Sequence, residues 1–209
     1  AQIAYMVQDG FVYYNNELQL VQNTDFGTVT KEKDDPLTIK YTIKDGVKWS
    51  DGQPVDAADM LLYWAAETTH VQNGSAKTDE DTGAVTSQTG TFWNTGIAPG
   101  IQFDLVSKTP TISDDNRSMT IVYDKPYADW NLVSPVGVSG HGTVELAYPD
   151  KYKGSDGAKK ASADLIKAIQ DKDYNFLGPV SKAFNTDYAF NTMPSGGASS
   201  PALLSNYAY

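Results

Sequence analysis

At 209 residues, with 40% hydrophobic and 20% charged side chains, the chain is long enough for one substantial core and too apolar for a disordered segment. Its formal net charge of -10, with no run of Lys/Arg interleaved with aromatics, excludes a nucleic-acid partner, because phosphate neutralisation needs a basic face. The absence of cysteine removes disulfides, thiolate nucleophiles and cysteine-ligated metals.

No apolar stretch approaches the roughly 20 residues that span a bilayer. The opening AQIAYMVQDG has neither a positive n-region nor an h-region, so a soluble chain is expected, its export signal removed or never included. The 13 tyrosines and four tryptophans suit half-buried strands and equally suit contact with flat ligands, so they do not choose a function.

Residues 11–14 and 18–21 flank Asn15-Asn16, types that tolerate positive φ, which predicts a hairpin. A second pair, 28–31 and 37–43, surrounds Asp34-Asp35-Pro36. In its second member Leu37, Ile39, Tyr41 and Ile43 alternate with Thr38, Lys40, Thr42 and Lys44, the pattern of a half-buried antiparallel strand. Asp56 can cap a helix over 57–68, with Asp59 as a reciprocal capper weaker than Glu. Met60, Leu61, Trp64 and Ala65 share a face of that helix.

Residues 71–100 are rich in Gly, Thr, Ser, Asn and Gln and read as a long excursion, with one short element expected in it. Order returns at 101–108. Residues 109–112 and 119–123 pair across the turn 113–117, 132–138 read as a short strand or extended segment, and 159–170 form an amphipathic helix burying Ala161, Leu165, Ala168 and Ile169. Residues 175–209, punctuated by Gly178-Pro179, Met193-Pro194 and Ser200-Pro201, are expected to be irregular.

The densest motif is Asp45-Gly46-Val47-Lys48-Trp49-Ser50-Asp51-Gly52-Gln53-Pro54-Val55-Asp56-Ala57-Ala58-Asp59. A strand ends at the Asp45-Gly46 turn, Asp51-Gly52 makes a second turn, Pro54 stiffens the approach and Asp56 opens the helix. This order resembles the hallmark of the family 5 extracellular solute-binding proteins, the dipeptide, oligopeptide and nickel binders, which read approximately strand, DGVKWSDGxPVTAxDV, helix. On that resemblance Asp45, Gly46, Val47, Trp49, Asp51, Gly52, Pro54, Ala57 and Asp59 are a structural signature. Residues 118–128 are similar to the family's xTvxftLxxPyapf strand and turn. Residues 134–141 sit where members carry P-K-H before a helix, here without that proline and lysine.

The resemblance covers residues 11–148. It implies an α+β fold, with a mixed, mainly antiparallel sheet and packed helices: the accessory subdomain of a periplasmic-binding-protein type II-like clamp. Residues 1–174 would be a first-lobe fragment, and 175–209 an irregular segment packed on it or leading to a second lobe. It further implies non-catalytic capture of a peptide or small molecule outside the cytoplasmic membrane, delivery to ABC permease subunits, a lipid anchor on the full-length protein, and a monomer. The competing readings are a carbohydrate- or surface-binding module and a subdomain with no ligand of its own.

Phe92 and Trp93, in the long polar excursion, are the candidate ligand contacts, against an anchoring role in their own domain. Trp49 and Trp64 read as core. His70 and His141, without a third ligand, make no metal site and read as surface or capping residues. Asp79-Glu80-Asp81-Thr82-Gly83 lacks the closing Glu of a calcium loop and reads as a solvated turn. Asp51, Asp56 and Asp59 have turn and cap spacing. With no cysteine, no Gly-x-Ser-x-Gly and no nucleophile partner visible for either histidine, no enzymatic activity and no cofactor are expected.

Overall fold

The computed structural model describes residues 9–95 and 101–187. An antiparallel sheet organises them. β3 (Gly27–Asp34) and β4 (Leu37–Ile43) form a hairpin, β8 (Ser118–Val122) pairs along the free side of β4, and β7 (Thr111–Ile112) completes the order β3-β4-β8-β7. In the central ladder Ile39 faces Ile121 and Tyr41 faces Met119. All four are fully buried, as period-two alternation requires of the core face.

α1 (Ala57–Glu67) lies in the same core. Every residue of it is buried except Tyr63, which is half-buried, so its apolar stripe is wider than the face read from spacing. Met60, Leu61, Leu62 and Trp64 are wholly enclosed, each contributing about 2 kcal/mol of burial. Asp56 accepts from Ala58 N, and Asp59 returns the bond to Asp56 N at 2.8 Å, so an aspartate does close the capping box.

β1 (Val12–Tyr14) and β2 (Leu20–Gln22) make the expected first hairpin, but its turn differs from the two-residue form. The Asn15 carboxamide accepts from Glu17 N and Gln19 N, and the positive φ falls on Leu18. A side chain that bonds the backbone two and four residues on sets a longer loop.

The polar excursion holds a hairpin, β5 (Ser75–Thr78) and β6 (Val85–Thr89), in place of one short element. At its tip the Asp79 carboxylate accepts from Asp81 N, Thr82 N and the Thr82 hydroxyl. Residues 96–100 of that excursion lie outside the described residues. A short helix, α2 (Ile101–Asp104), follows, and residues 133–138 form no regular element and join no sheet.

Three helices complete the core: α3 (Gly140–Ala147), α4 (Gly154–Asp171) and α5 (Tyr174–Asp187). α5 corrects the expectation of an irregular segment from residue 175. The Asp173 carboxylate accepts from Asn175 N and Phe176 N at its start, and Leu177, Val180 and Ala183 bury a helical stripe despite Gly178-Pro179. Tertiary burial of that stripe outweighs the single hydrogen bond that Pro179 removes. Tyr148 fixes the helix by stacking on Phe176 at 5.1 Å and donating its hydroxyl to the Phe176 carbonyl. The expectations for residues 1–8 and 188–209 lie outside the described residues. Among the described residues, no helix is long and apolar enough to cross a membrane.

Candidate functional site

Two features carry the chemistry: a polar knot where the Trp49 corner meets α3, and a cavity at the far end of α1.

The corner is assembled locally. Gly46 and Gly52 adopt φ of 88° and 86°, the left-handed region that side chains avoid. Between them Trp49 N bonds the Gln53 carbonyl, Gly52 N bonds the Trp49 carbonyl, and Lys48 bridges Pro54. Val55 N closes the loop on the Val47 carbonyl, and Val47 packs against the core. Asp45 pairs with Arg117 at 3.2 Å, while that guanidinium also donates to the Ile43 carbonyl. Ala57 is fully buried and its N–H donates to the Asn116 carbonyl.

Asp59 is the centre of the knot. Its carboxylate accepts from Trp49 Nε1 at 3.0 Å, Asp56 N at 2.8 Å and Gly140 N at 2.6 Å. Burial lifts this carboxyl to about 7, and the neighbouring Asp56 adds to the rise, against His141 and the N–H donors. Burial raises Asp56 and Glu145 as well.

His141 is 2% exposed, which corrects the surface reading, and bridges Asp51 at 2.8 Å through Nε2 and the Ser139 hydroxyl at 2.9 Å through Nδ1. The order Ser, His, Asp is that of a hydrolytic triad, a partnership the sequence did not disclose. The hydroxyl is not a nucleophile here. Ser139 is fully buried, and its Oγ accepts from Gly142 N as the cap of α3.

The cavity, of about 440 Å³, is bounded by Leu62, Tyr63 and Glu67 of α1, by Asn94 and Thr95, by Gly137 and Val138, and by Phe184 and Asn185 of α5. Clefts that hold small molecules run from roughly 300 to 1,000 Å³. Asn185 ties its walls together, donating to the Gln88 side chain and the Phe92 carbonyl and accepting from Asn94 N.

No family model matches the chain. Over 59 residues, 28% of its length, the chain is 42% identical to an uncharacterized lipoprotein of Mycobacterium tuberculosis, and the match spans 11% of that protein. Among solved structures it is similar to a periplasmic EDTA-binding protein, with a TM-score of 0.49 and 17% identity over 78% of this chain and 26% of the other. It is also similar to the oligopeptide binding protein from Thermus thermophilus complexed with a pentapeptide, with a TM-score of 0.36, 15% identity and the same shares of each chain.

Of the candidate ligand contacts, Trp93 is buried, donates Nε1 to the Val71 carbonyl and packs edge-on against Phe184 at 5.4 Å. Phe92 is half-buried, its backbone held by Ser181 and Asn185. Neither bounds the cavity, although Trp93 braces one of its walls. His70 bonds the Asp104 carbonyl through Nε2. Among the described residues, no group of three or more His, Asp or Glu is placed to hold a metal ion. Sequence reasoning passed over Tyr63, Glu67 and Phe184. The one signal available was Glu67, a carboxylate on the helix whose other positions are almost all apolar.

Proposed function

We propose that the chain is the accessory subdomain of the first lobe of an extracytoplasmic solute-binding protein, which captures peptides without catalysis and hands them to an ABC permease. The observation that carries this reading is the knot. Trp49 and Asp59 of the family-like signature meet in it, with Asp59 joining the corner, α1 and α3 through three N–H donors. The role is scaffolding: a rigid subdomain on which a two-lobed clamp closes. The identity to a mycobacterial lipoprotein supports a lipid-anchored place outside the cytoplasmic membrane. The sealed Ser139 supports a non-catalytic role. In this reading residues 9–187 form one subdomain with α5 inside it, the protein acts as a monomer, and the peptide cleft is completed by a second lobe.

Calorimetric titration of a peptide library and an oligosaccharide set, against this chain and against the longer protein the proposal implies, tests it. Saturable peptide binding by the longer protein alone is expected. Saturable glycan binding by the chain alone overturns the proposal in favour of a carbohydrate-binding module, a reading motivated by Tyr13 and Tyr14, 43% and 52% exposed on β1.

A further inference from the structure

We propose that Asp45-Gly46, the first turn of the Trp49 corner, is a covalent modification site, at which the Asp45 side chain closes onto the Gly46 nitrogen as a succinimide and reopens to isoaspartate. The inference goes beyond the importer reading and does not rest on it.

The chemistry is a condensation followed by a hydrolysis. The Gly46 nitrogen bonds Asp45 Cγ, a Cγ–O bond breaks, and that oxygen leaves as water with the amide hydrogen and the carboxyl proton. Water then adds back. Opening at Cγ restores aspartate, whereas opening at the Asp45 main-chain carbonyl carbon routes the backbone through Cβ and Cγ and leaves an α-carboxylate beside it. No oxidant or other reagent is consumed. The step therefore needs a following residue without a Cβ in the way, a nitrogen that no acceptor holds and a carboxyl that can turn.

The sequence contains four Asp-Gly steps and one Asn-Gly step, and the fold treats them differently. At Asp45-Gly46 both residues are exposed. The Asp45 side chain is 93% exposed, so water readily replaces its ion pair with Arg117 at 3.2 Å. Among the described residues nothing accepts the Gly46 N–H. Gly46 has φ of 88°, and nothing lies within 4 Å of where a Cβ would stand, so the closing ring meets no wall.

The other four steps are held. The Asp51 carboxylate is engaged by His141 at 2.8 Å and by Gln53 N at 2.9 Å, and Gly52 N donates to the Trp49 carbonyl. Asp156-Gly157 lies in the first turn of α4, where the helix fixes the rotation between the two residues, and a Cβ on Gly157 would stand 2.8 Å from the Tyr152 carbonyl carbon. The Gly10 N–H is turned onto Oδ1 of Asp9, which Asn23 also engages, and Ser134 closes over Gly10. Asn73-Gly74 is the step that cyclises most readily in a free peptide. Here the Asn73 carboxamide oxygen accepts from Thr91 N, Gly74 N donates to the Thr91 carbonyl, and a Cβ on Gly74 would lie 1.9 Å from the Thr89 carbonyl oxygen.

The test is incubation of the folded chain in mildly acidic buffer made with heavy-oxygen water, then tryptic digestion, with isoaspartate located by electron-transfer fragmentation and by enzymatic carboxyl methylation of the peptides. Cleavage after Lys44 and Lys48 places Asp45 on a peptide apart from the other four steps. Isoaspartate with one heavy oxygen is expected to accumulate at Asp45 severalfold faster than at Asp9, Asp51, Asn73 or Asp156. The same incubation in urea is expected to put Asn73 first, because the restraints on it belong to the fold. Asp45→Glu is expected to abolish the signal from its peptide, since glutamate closes only to a larger ring. Isoaspartate appearing first at any of the other four steps in the folded chain, an order unchanged by urea, or none at Asp45 each overturns the proposal.

Discussion

Gly140 donates its backbone N–H to Asp59 Oδ1 at 2.6 Å, across 81 residues of chain. The carboxylate that completes the cap of α1 is thus the group that receives α3, and the two helix starts are fastened to one side chain. Asp59→Ala leaves three N–H groups, two of them buried, without this acceptor and is expected to lower the unfolding free energy by about 3 kcal/mol. Asp59→Asn keeps one acceptor oxygen and is expected to cost less than Ala. Urea denaturation of the two variants checks the order.

Asp59 also makes stability depend on pH. Its folded value of about 7 lies above the ordinary carboxylate value of 3.8, so the folded state holds the proton more tightly. The group's contribution is complete below 3.8 and is lost as pH rises through about 7. The neighbouring Asp56 adds to that rise and His141 opposes it. Thermal melts across that window are expected to show the difference between wild type and Asp59→Asn shrinking as pH rises. A difference that stays constant or widens contradicts the assignment.

The glycines of the corner and of β3 answer to different physics. Gly46 has φ of 88° with nothing within 4 Å of an added Cβ, so Gly46→Ala is expected to cost about 1 kcal/mol through the left-handed backbone alone. A Cβ on Gly27 would stand 2.3 Å from the Thr42 carbonyl oxygen and 2.7 Å from the Phe11 ring. Gly27→Ala is therefore expected to cost more than about 3 kcal/mol, an exceptional value for one added methyl group. Denaturation midpoints of the two variants give the comparison directly.

α5 is part of the core. Leu177 and Val180 are fully buried in it, and Leu177→Ala is expected to cost about 3 kcal/mol in cooperative unfolding. A loss under about 0.5 kcal/mol, the level of a surface substitution, contradicts that placement.

The cavity shows where sequence reading stopped. Trp93, singled out for its polar surroundings, is a brace, because a tryptophan beside the buried Val71 and Phe184 gains more from packing than from exposure. Tyr63 and Glu67 sit on a helix that was read correctly, yet nothing in their spacing says that Phe184 will stand opposite. Phe184 itself lay in a segment read as irregular, since Gly178-Pro179 masked the stripe of Leu177, Val180 and Ala183. His141, read as a surface or capping residue, is instead buried between Asp51 and Ser139, and it is Ser139 that caps α3.

The sequence by itself determined what neighbouring residues decide among themselves: the alternation of Leu37, Ile39, Tyr41 and Ile43 that makes β4, the glycines that bend the Trp49 corner, and the aspartate that opens α1. These follow from backbone sterics, period and local hydrogen bonding, which act over a few residues. Only the tertiary structure decided that Asp59 receives Gly140, that Asp51 and Ser139 meet at His141, and that Tyr63, Glu67 and Phe184 enclose one cavity. The reason is physical. A buried polar or aromatic group takes whatever partner the packing of distant elements brings within reach, and that choice is made by the whole core.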